Sequence, residues 1–253
     1  MNLELPVAAR DPLQSKGLSN KYQVIHTTDV IDIMTEHDFI VTQVHSMKPR
    51  VRDPRIVEHF IRLRHKDLSN EINGTIPEVL VVNSNDGSTS LRMDAALFRL
   101  ICGNGLIVKS ADIYSSRLRH VEVTEKSVIE ESRKVIAAAQ LAAQRIEKFQ
   151  KKILTGNRMY DFALDANEIA LKIVGSNMRA GDLLNARREE DSGGELWKVL
   201  NRVQENLVKG GICYRTQKGR HMTSRGITGA TPLIQMNERL WALAEEYLWT
   251  QMN

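Results

Sequence analysis

The residues of this chain that could do chemistry are its histidines, cysteines, paired carboxylates and clustered cations, and each set is judged by its spacing. The seven histidines are His26, His37, His45, His59, His65, His120 and His221. None stands in an H-E-x-x-H or C-x-x-C/H arrangement, so the ligand spacing of a zinc site is missing. His59 and His65 fall in a basic stretch and read as supports of a polar surface. The two cysteines, Cys102 and Cys213, are too few for a disulfide framework and point to a reducing compartment. Cys102 sits in an apolar segment, the setting of a small buried thiol rather than a nucleophile. Asn83-Ser84-Asn85-Asp86-Gly87 opens like a calcium loop but has no glutamate at the closing position, and reads as a turn. Glu189, Glu190 and Asp191 precede Gly193-Gly194 in a hydrophilic run, the pattern of a solvated loop. There is no G-x-x-x-x-G-K-[ST] phosphate loop and no G-x-S-x-G elbow. With no catalytic motif, the expectation is a non-enzyme that needs no cofactor and no metal.

The cations are the remaining chemistry. The net charge is only +4, but it is concentrated in two places. In the first, Lys48, Arg50, Arg52, Arg55, Arg62, Arg64 and Lys66 face only Asp53 and Glu58. In the second, Lys198, Arg202, Lys209, Arg215, Lys218, Arg220 and Arg225 face only Glu205. The rest of the chain is therefore net acidic, and a localised anion-binding surface shared by both clusters is expected. On an extended segment, Arg50-x-Arg52 and Arg62-x-Arg64 would each project from one face about 7 Å apart, suited to successive backbone phosphates. In the second cluster, Lys209, Arg215, Lys218, Arg220 and Arg225 are interspersed with Gly, Ser and Thr, whose N–H and hydroxyl groups can add phosphate contacts. Aromatics make up 5% of the chain, and only Phe60 and Tyr214 fall within the clusters, so base stacking is a minor term. The competing reading is two solvated basic faces, with Arg62 and Arg64 paired to acids of a long helix.

Those residues must be positioned by a chain of 253 residues, 42% hydrophobic and 26% charged, enough for a substantial core. No apolar run approaches the roughly 18 residues of a membrane span, and Met1–Pro6 has an early acid and no apolar leader, so a cytoplasmic location is expected. Residues 1–25 read as a flexible lead-in. Thr27 or Thr28 is expected to cap a short helix through Thr35, and Phe39–His45 to form a strand. Residues 53–65 fit a helix and a strand equally well. Val79–Val82 reads as a strand covered on both faces, followed by a tight turn at Asn85-Asp86-Gly87. A short helix is expected over Ala95–Cys102, stopped by Gly103, Asn104 and Gly105, then strands at Leu106–Val108 and Arg117–Val123. From Thr124 to Leu154 there is no Pro and no Gly, and apolar residues recur at helical spacing, so a long helix is expected. Further helices are expected at Asp161–Val174, near Asp182–Arg188, at Gly194–Val208 and at Leu233–Met252, with an exposed loop or irregular hairpin between the last two. The fold class is α+β: an antiparallel β-rich half over 26–123 with short helices, then the long helix and a mainly helical half over 124–253, packed as one domain.

Several ordered strings then form one pattern. They include Arg50-Val51-Arg52-Asp53-Pro54, His59-Phe60-Ile61-Arg62-Leu63-Arg64, Pro77-Glu78, Asn83-Ser84-Asn85-Asp86-Gly87-Ser88 and Leu97-Phe98-Arg99-x-x-Cys102-x-Asn104-Gly105-Leu106. Later come Gln204-Glu205-Asn206-Leu207-x-Lys209-Gly210-Gly211, Thr223-x-Arg225-x-Ile227 and Asn237-x-x-Leu240-Trp241. From about Arg50 to the C-terminus the chain resembles the phage- and plasmid-type family called domain of unknown function 932. The family usually has histidine where this chain has Asn85. The resemblance implies a protein of phage or another mobile element, and it carries no established catalytic residues.

The expected order, strands and a hairpin before a long helix, is similar to the plan of phage single-strand annealing proteins, which hold the strand backbone in a basic groove and assemble into oligomers. The functional expectation is therefore a single-strand DNA-binding or annealing protein of recombination. Its phosphate contacts would be Arg50, Arg52, Arg62, Arg64, Lys209, Arg215, Lys218, Arg220 and Arg225, and a homo-oligomer is in keeping with it. The alternative is a phage-encoded interaction protein that binds a host defence or repair protein through the helical half or through Trp197, Trp241 and Trp249.

Overall fold

The computed structural model describes residues 4–14, 17–46, 53–68, 71–87, 89–99, 105–107, 115–120, 123–175, 177–215, 219–227 and 230–250. The chain divides into two compact units, Met1–Ala143 and Gln144–Asn253. It is an α+β protein whose strands come first and whose helices dominate after the long helix.

The first unit is built on an antiparallel sheet of β1 (Phe39–Ser46), β2 (His59–His65), β3 (Thr75–Asn83), β4 (Leu91–Arg99) and β5 (Gly105–Ile107), in that spatial order. A sixth strand, β6 (Ser115–Leu118), shares the outer edge of β4 with β5. Every residue of β3 is buried, so its backbone groups need partners on both sides. That requirement resolves residues 53–65. A single 3-10 turn, Pro54–Ile56, is capped by the Asp53 carboxylate, which accepts the Arg55 N–H at 2.9 Å, and the chain then runs out as β2 against β3.

The same requirement overrides the helix expected over Ala95–Cys102. As far as Arg99 that segment belongs to β4, paired with β3 from Arg92 to Arg99. Alanine and leucine favour a helix locally, but a buried neighbouring strand takes their backbone donors. Cys102, Gly103 and Asn104 lie outside the described residues. The connection after β3 is longer than a tight turn and runs from 84 to 90, with Gly87 at φ 78°. A two-residue turn that the sequence reading passed over, Asn73-Gly74, leads into β3 with both residues at positive φ. The strand expected over Arg117–Val123 is shifted to Ser115–Leu118.

The lead-in is not wholly loose: α1 (Val7–Arg10) buries Ala8 and Ala9, and Leu13 N–H bonds to Arg55 O. In α2 (Thr27–Glu36) Val30, Ile31 and Met34 are buried. His26, not a threonine, occupies its N-cap, because the Thr27 hydroxyl is engaged elsewhere. The long helix is α3 (Glu125–Lys151). It opens on a reciprocal cap in which Thr124 Oγ1 accepts the Ser127 N–H and Ser127 Oγ accepts the Thr124 N–H. The division between the units falls within α3.

The second unit is helical. α4 (Gly156–Val174) starts before the expected Asp161, and α5 (Ala180–Leu183) is a single turn that stops short of Arg188. α6 (Leu196–Lys209) and α7 (Ala230–Trp249) lie close to the expected spans. α4 and α7 pack through Phe162 edge-on to Tyr247, whose hydroxyl donates to Asp165 at 2.6 Å. Trp241 is fully buried, edge-on to Phe149. Between α6 and α7 stands a hairpin of β7 (Cys213–Arg215) and β8 (His221–Thr223). Among the described residues, no helix is long and apolar enough to cross a membrane.

Candidate functional site

Alternation along β2 and β3 sends His59, Ile61, Leu63, Val79, Val81 and Asn83 to one face of the sheet and Phe60, Arg62, Arg64 and Glu78 to the other. On this second face Glu78 is fully buried and takes two arginines. Arg62 Nε donates to Glu78 Oε2 at 2.6 Å, and Arg64 donates to Oε1 through Nε at 3.1 Å and Nη2 at 2.8 Å. Arg62 also donates to Gln43 Oε1. β1 is bulged at Thr42, which turns that hydroxyl onto Glu78 Oε1 at 3.1 Å. The Phe98 ring lies 4.3 Å from the Arg62 guanidinium carbon and 5.8 Å from that of Arg64. Burial pulls the Arg62 pKa down, Glu78 opposes that, and the charge of Arg64 adds a smaller push downward. These arginines pair with a strand acid rather than with acids of the long helix. Their donors to Glu78 and Gln43 are committed inside the unit.

The other face holds a buried polar chain. His59 Nδ1 lies 3.0 Å from Val57 O, which places the proton on Nδ1. Nε2, 2.8 Å from Thr27 Oγ1, then accepts the hydroxyl proton, and Thr27 Oγ1 in turn accepts from Asn83 Nδ2 at 2.9 Å. The order is that of a hydroxyl, a base and a group that orients it. Thr27, His59 and Asn83 are all 0% exposed, so no substrate reaches the hydroxyl. Burial lowers the His59 pKa and keeps the ring neutral. Asn85, also buried, accepts the Ile25 N–H through Oδ1 and donates to Ile25 O through Nδ2. It therefore acts as a side-chain clamp on the strand-like segment before α2. These contacts are architectural.

In the second unit, the run Gln204–Gly211 is a platform for the hairpin. Gln204 donates to Asn237, Asn206 donates to Leu183 O and Asn185 O, and Glu205 accepts from Arg188 and Lys209. Arg187 bonds to Asn206 Oδ1 and Gly210 O. These ties to α6 are what end α5 early. Asp191 is likewise buried against Arg188, unlike the solvated loop expected for Glu189–Asp191. At Gly210 the backbone has φ 65°, and a β-carbon there would lie 2.5 Å from the Arg225 carbonyl carbon and 2.6 Å from the Gly226 nitrogen. The two ends of the hairpin are thus in backbone contact, fixed by Gly211 N–H to Ser224 O and Ile227 N–H to Val208 O.

Arg220, Arg225 and all of β8 are exposed on this hairpin, and Lys209 is half-exposed while paired to Glu205. Arg215 lies on β7. Lys218, Arg50 and Arg52 lie outside the described residues. Between Glu205 and Glu238 the sequence contains no acid. Of the tryptophans, Trp197 and Trp241 are core residues and Trp249 is 65% exposed. Among the described residues, no three His, Cys, Asp or Glu side chains gather to hold a metal ion.

The Glu78 cluster escaped the sequence reading, although one signal was present. Val79–Val82 reads as covered on both faces, so an acid at its start and arginines on a neighbouring strand must find each other.

The chain is an α+β protein with an antiparallel sheet, in which Arg62 and Arg64 share one buried glutamate, followed by a helical unit that carries an exposed hairpin. Residues 16–241 match the family described as "Domain of unknown function (DUF932)", and the chain belongs to it. It is 29% identical over 234 residues to the "UPF0380 protein YfjQ" of Escherichia coli (strain K12), covering 91% of this chain and 84% of that protein. The "UPF0380 protein YafZ" of the same organism is similar to the same extent. No solved structure matches the chain.

Proposed function

We propose that this chain binds nucleic acid, single strands by preference, through the hairpin of its second unit, in strand annealing or recombination of a phage or other mobile element. The observation that carries the reading is the acid-free stretch from Glu205 to Glu238, which presents Arg220 and Arg225 on an exposed ribbon with a rigid base. An exposed ribbon whose own stretch of sequence contains no acid sets its cations where a phosphate backbone can reach them. The preference for single strands rests on the likeness in element order to phage annealing proteins. In this reading Arg62 and Arg64 maintain the sheet.

The test is fluorescence anisotropy with labelled single- and double-stranded oligonucleotides at two salt concentrations. If the five cations of the stretch each neutralise a phosphate, log K against log[salt] has a slope of about −3.5 on a single strand. Reversing Arg215, Lys218, Arg220 and Arg225 to Glu abolishes binding. Retention of full affinity by that variant rejects the hairpin as the contact. A second reading, a protein–protein anchor, is favoured by one observation: Trp249 is largely exposed, with Lys148 Nζ 5.3 Å from its ring centre. Pull-downs with Trp249→Ala test it, and an unchanged set of captured proteins removes it.

A further inference from the structure

We infer that Tyr214 and Met222 form a platform on which an unpaired base of a single strand stacks; this deepens the nucleic-acid reading above and rests on it. Two aromatics fall within the basic clusters. Phe60 is buried, with its ring stacked on His45, which leaves Tyr214. The ladder of β7 and β8 sets Tyr214 directly opposite Met222. Cross-strand partners share a face, with β-carbons about 4.5–5.5 Å apart, and alternation adds Ile212 and Ser224 to it. Ile212 and Ser224 are buried at the root of the hairpin, tied by Ser224 N–H to Ile212 O at 2.8 Å and by Ile212 N–H to Ser224 Oγ at 3.0 Å. Tyr214 is half-buried and Met222 is 46% exposed. The face therefore starts at buried residues and ends in solvent.

The opposite face carries Cys213 across from Thr223, both exposed and small, so the bulk lies on one side of the ribbon. Among the described residues the Tyr214 ring stacks on no other ring and its hydroxyl makes no hydrogen bond. Every base has a π-face that an aromatic ring can take, and a thioether packs well against a ring edge. In a duplex the faces of each base are covered by its neighbours, so an unpaired nucleotide reaches Tyr214 and a paired one does not. The charge around the platform selects its occupant. The sequence from Glu205 to Glu238 holds cations and no acid between those two residues, which suits a ligand with a phosphate beside every ring.

The experiment uses the full chain with Tyr214→Ile, which keeps a strand-forming apolar side chain, and with Tyr214→Phe, which keeps the ring. Three labelled probes of equal length are compared over a range of salt: a single strand, the same backbone with abasic sites throughout, and a duplex. The parent binds the single strand more tightly than the abasic one. Tyr214→Ile binds the single strand roughly 5- to 150-fold more weakly, the loss of one stacked base, and binds the other two probes as the parent does. Its salt slope is unchanged, because no phosphate contact is removed. Tyr214→Phe binds as the parent does. Equal affinity of the parent for the single and abasic strands overturns the proposal without any variant. An equal loss by Tyr214→Ile on all three probes also overturns it, because the ring then only supports the ribbon. So does a loss by Tyr214→Phe, which assigns the contact to the hydroxyl. If the charge-reversed hairpin keeps full affinity, the hairpin reading fails and the platform falls with it. If charge reversal abolishes binding while Tyr214→Ile changes nothing, the hairpin reading stands and the platform alone is rejected.

Discussion

Replacing Glu78 by Gln tests how the first unit is held together. The substitution keeps the shape of the side chain and removes its charge, leaving Arg62, with a side chain only 7% exposed, and Arg64, at 19%, without their shared counter-ion. Breaking a buried pair from one side costs about 3–5 kcal/mol, because the remaining charge stays desolvated. An exposed pair would cost no more than about 1 kcal/mol. For a unit of this size each kcal/mol moves the midpoint by roughly 2–4 °C, so a fall on the order of 10 °C is expected. Far-UV circular dichroism during thermal and urea unfolding reads it. Tryptophan fluorescence does not report on this sheet directly, because Trp197, Trp241 and Trp249 all lie in the second unit. Removing Arg62 and Glu78 together, as Arg62→Met with Glu78→Met, is less destabilising than Glu78→Gln alone, since only the more exposed Arg64 is then left without a counter-ion. A cost below about 1 kcal/mol for Glu78→Gln refutes the argument, because it would mean that water reaches the cluster.

Burial holds the imidazoles of His59 and His120 below their ordinary pKa of 6.5. The unfolded chain therefore takes up protons first, and stability is flat above about pH 6.5 and falls as the pH drops below it. The fall is at most about 1.4 kcal/mol per pH unit for each histidine. Urea titrations from pH 8 to 5 measure it, and a fall on the alkaline side instead would contradict the neutral, buried rings. Gly210→Ala drives a β-carbon into the Arg225–Gly226 backbone, so it opens the hairpin base and weakens oligonucleotide binding with little loss of helical dichroism; unchanged binding would show that the base can shift at no cost. Thr27→Val removes the hydroxyl that links His59 and Asn83 and leaves buried donors and acceptors unmet, at a cost of about 1–3 kcal/mol in chemical denaturation. A neutral outcome would mean that the two groups re-pair directly.

What the sequence determined by itself was whatever local periodicity could enforce. The long helix from Glu125 needed only an unbroken run of helix formers with apolar residues at three and four, and the strand at Val79–Val82 needed only a short β-branched run. The absence of metal and nucleotide-binding motifs, and the concentration of cations into two stretches, were equally plain. Tertiary structure decided what local pattern left open or misdirected. Ala95–Cys102 has helix-forming residues, yet Leu91–Arg99 is a strand because β3 lacked a partner on that side. Arg62-x-Arg64 has the spacing of a phosphate-binding strand, yet both side chains turn to Glu78, an acid that is distant in sequence and adjacent only once β2 and β3 are in register. In each case the deciding interaction joins residues far apart in the chain, and a charge is free or committed according to the neighbour the sheet supplies.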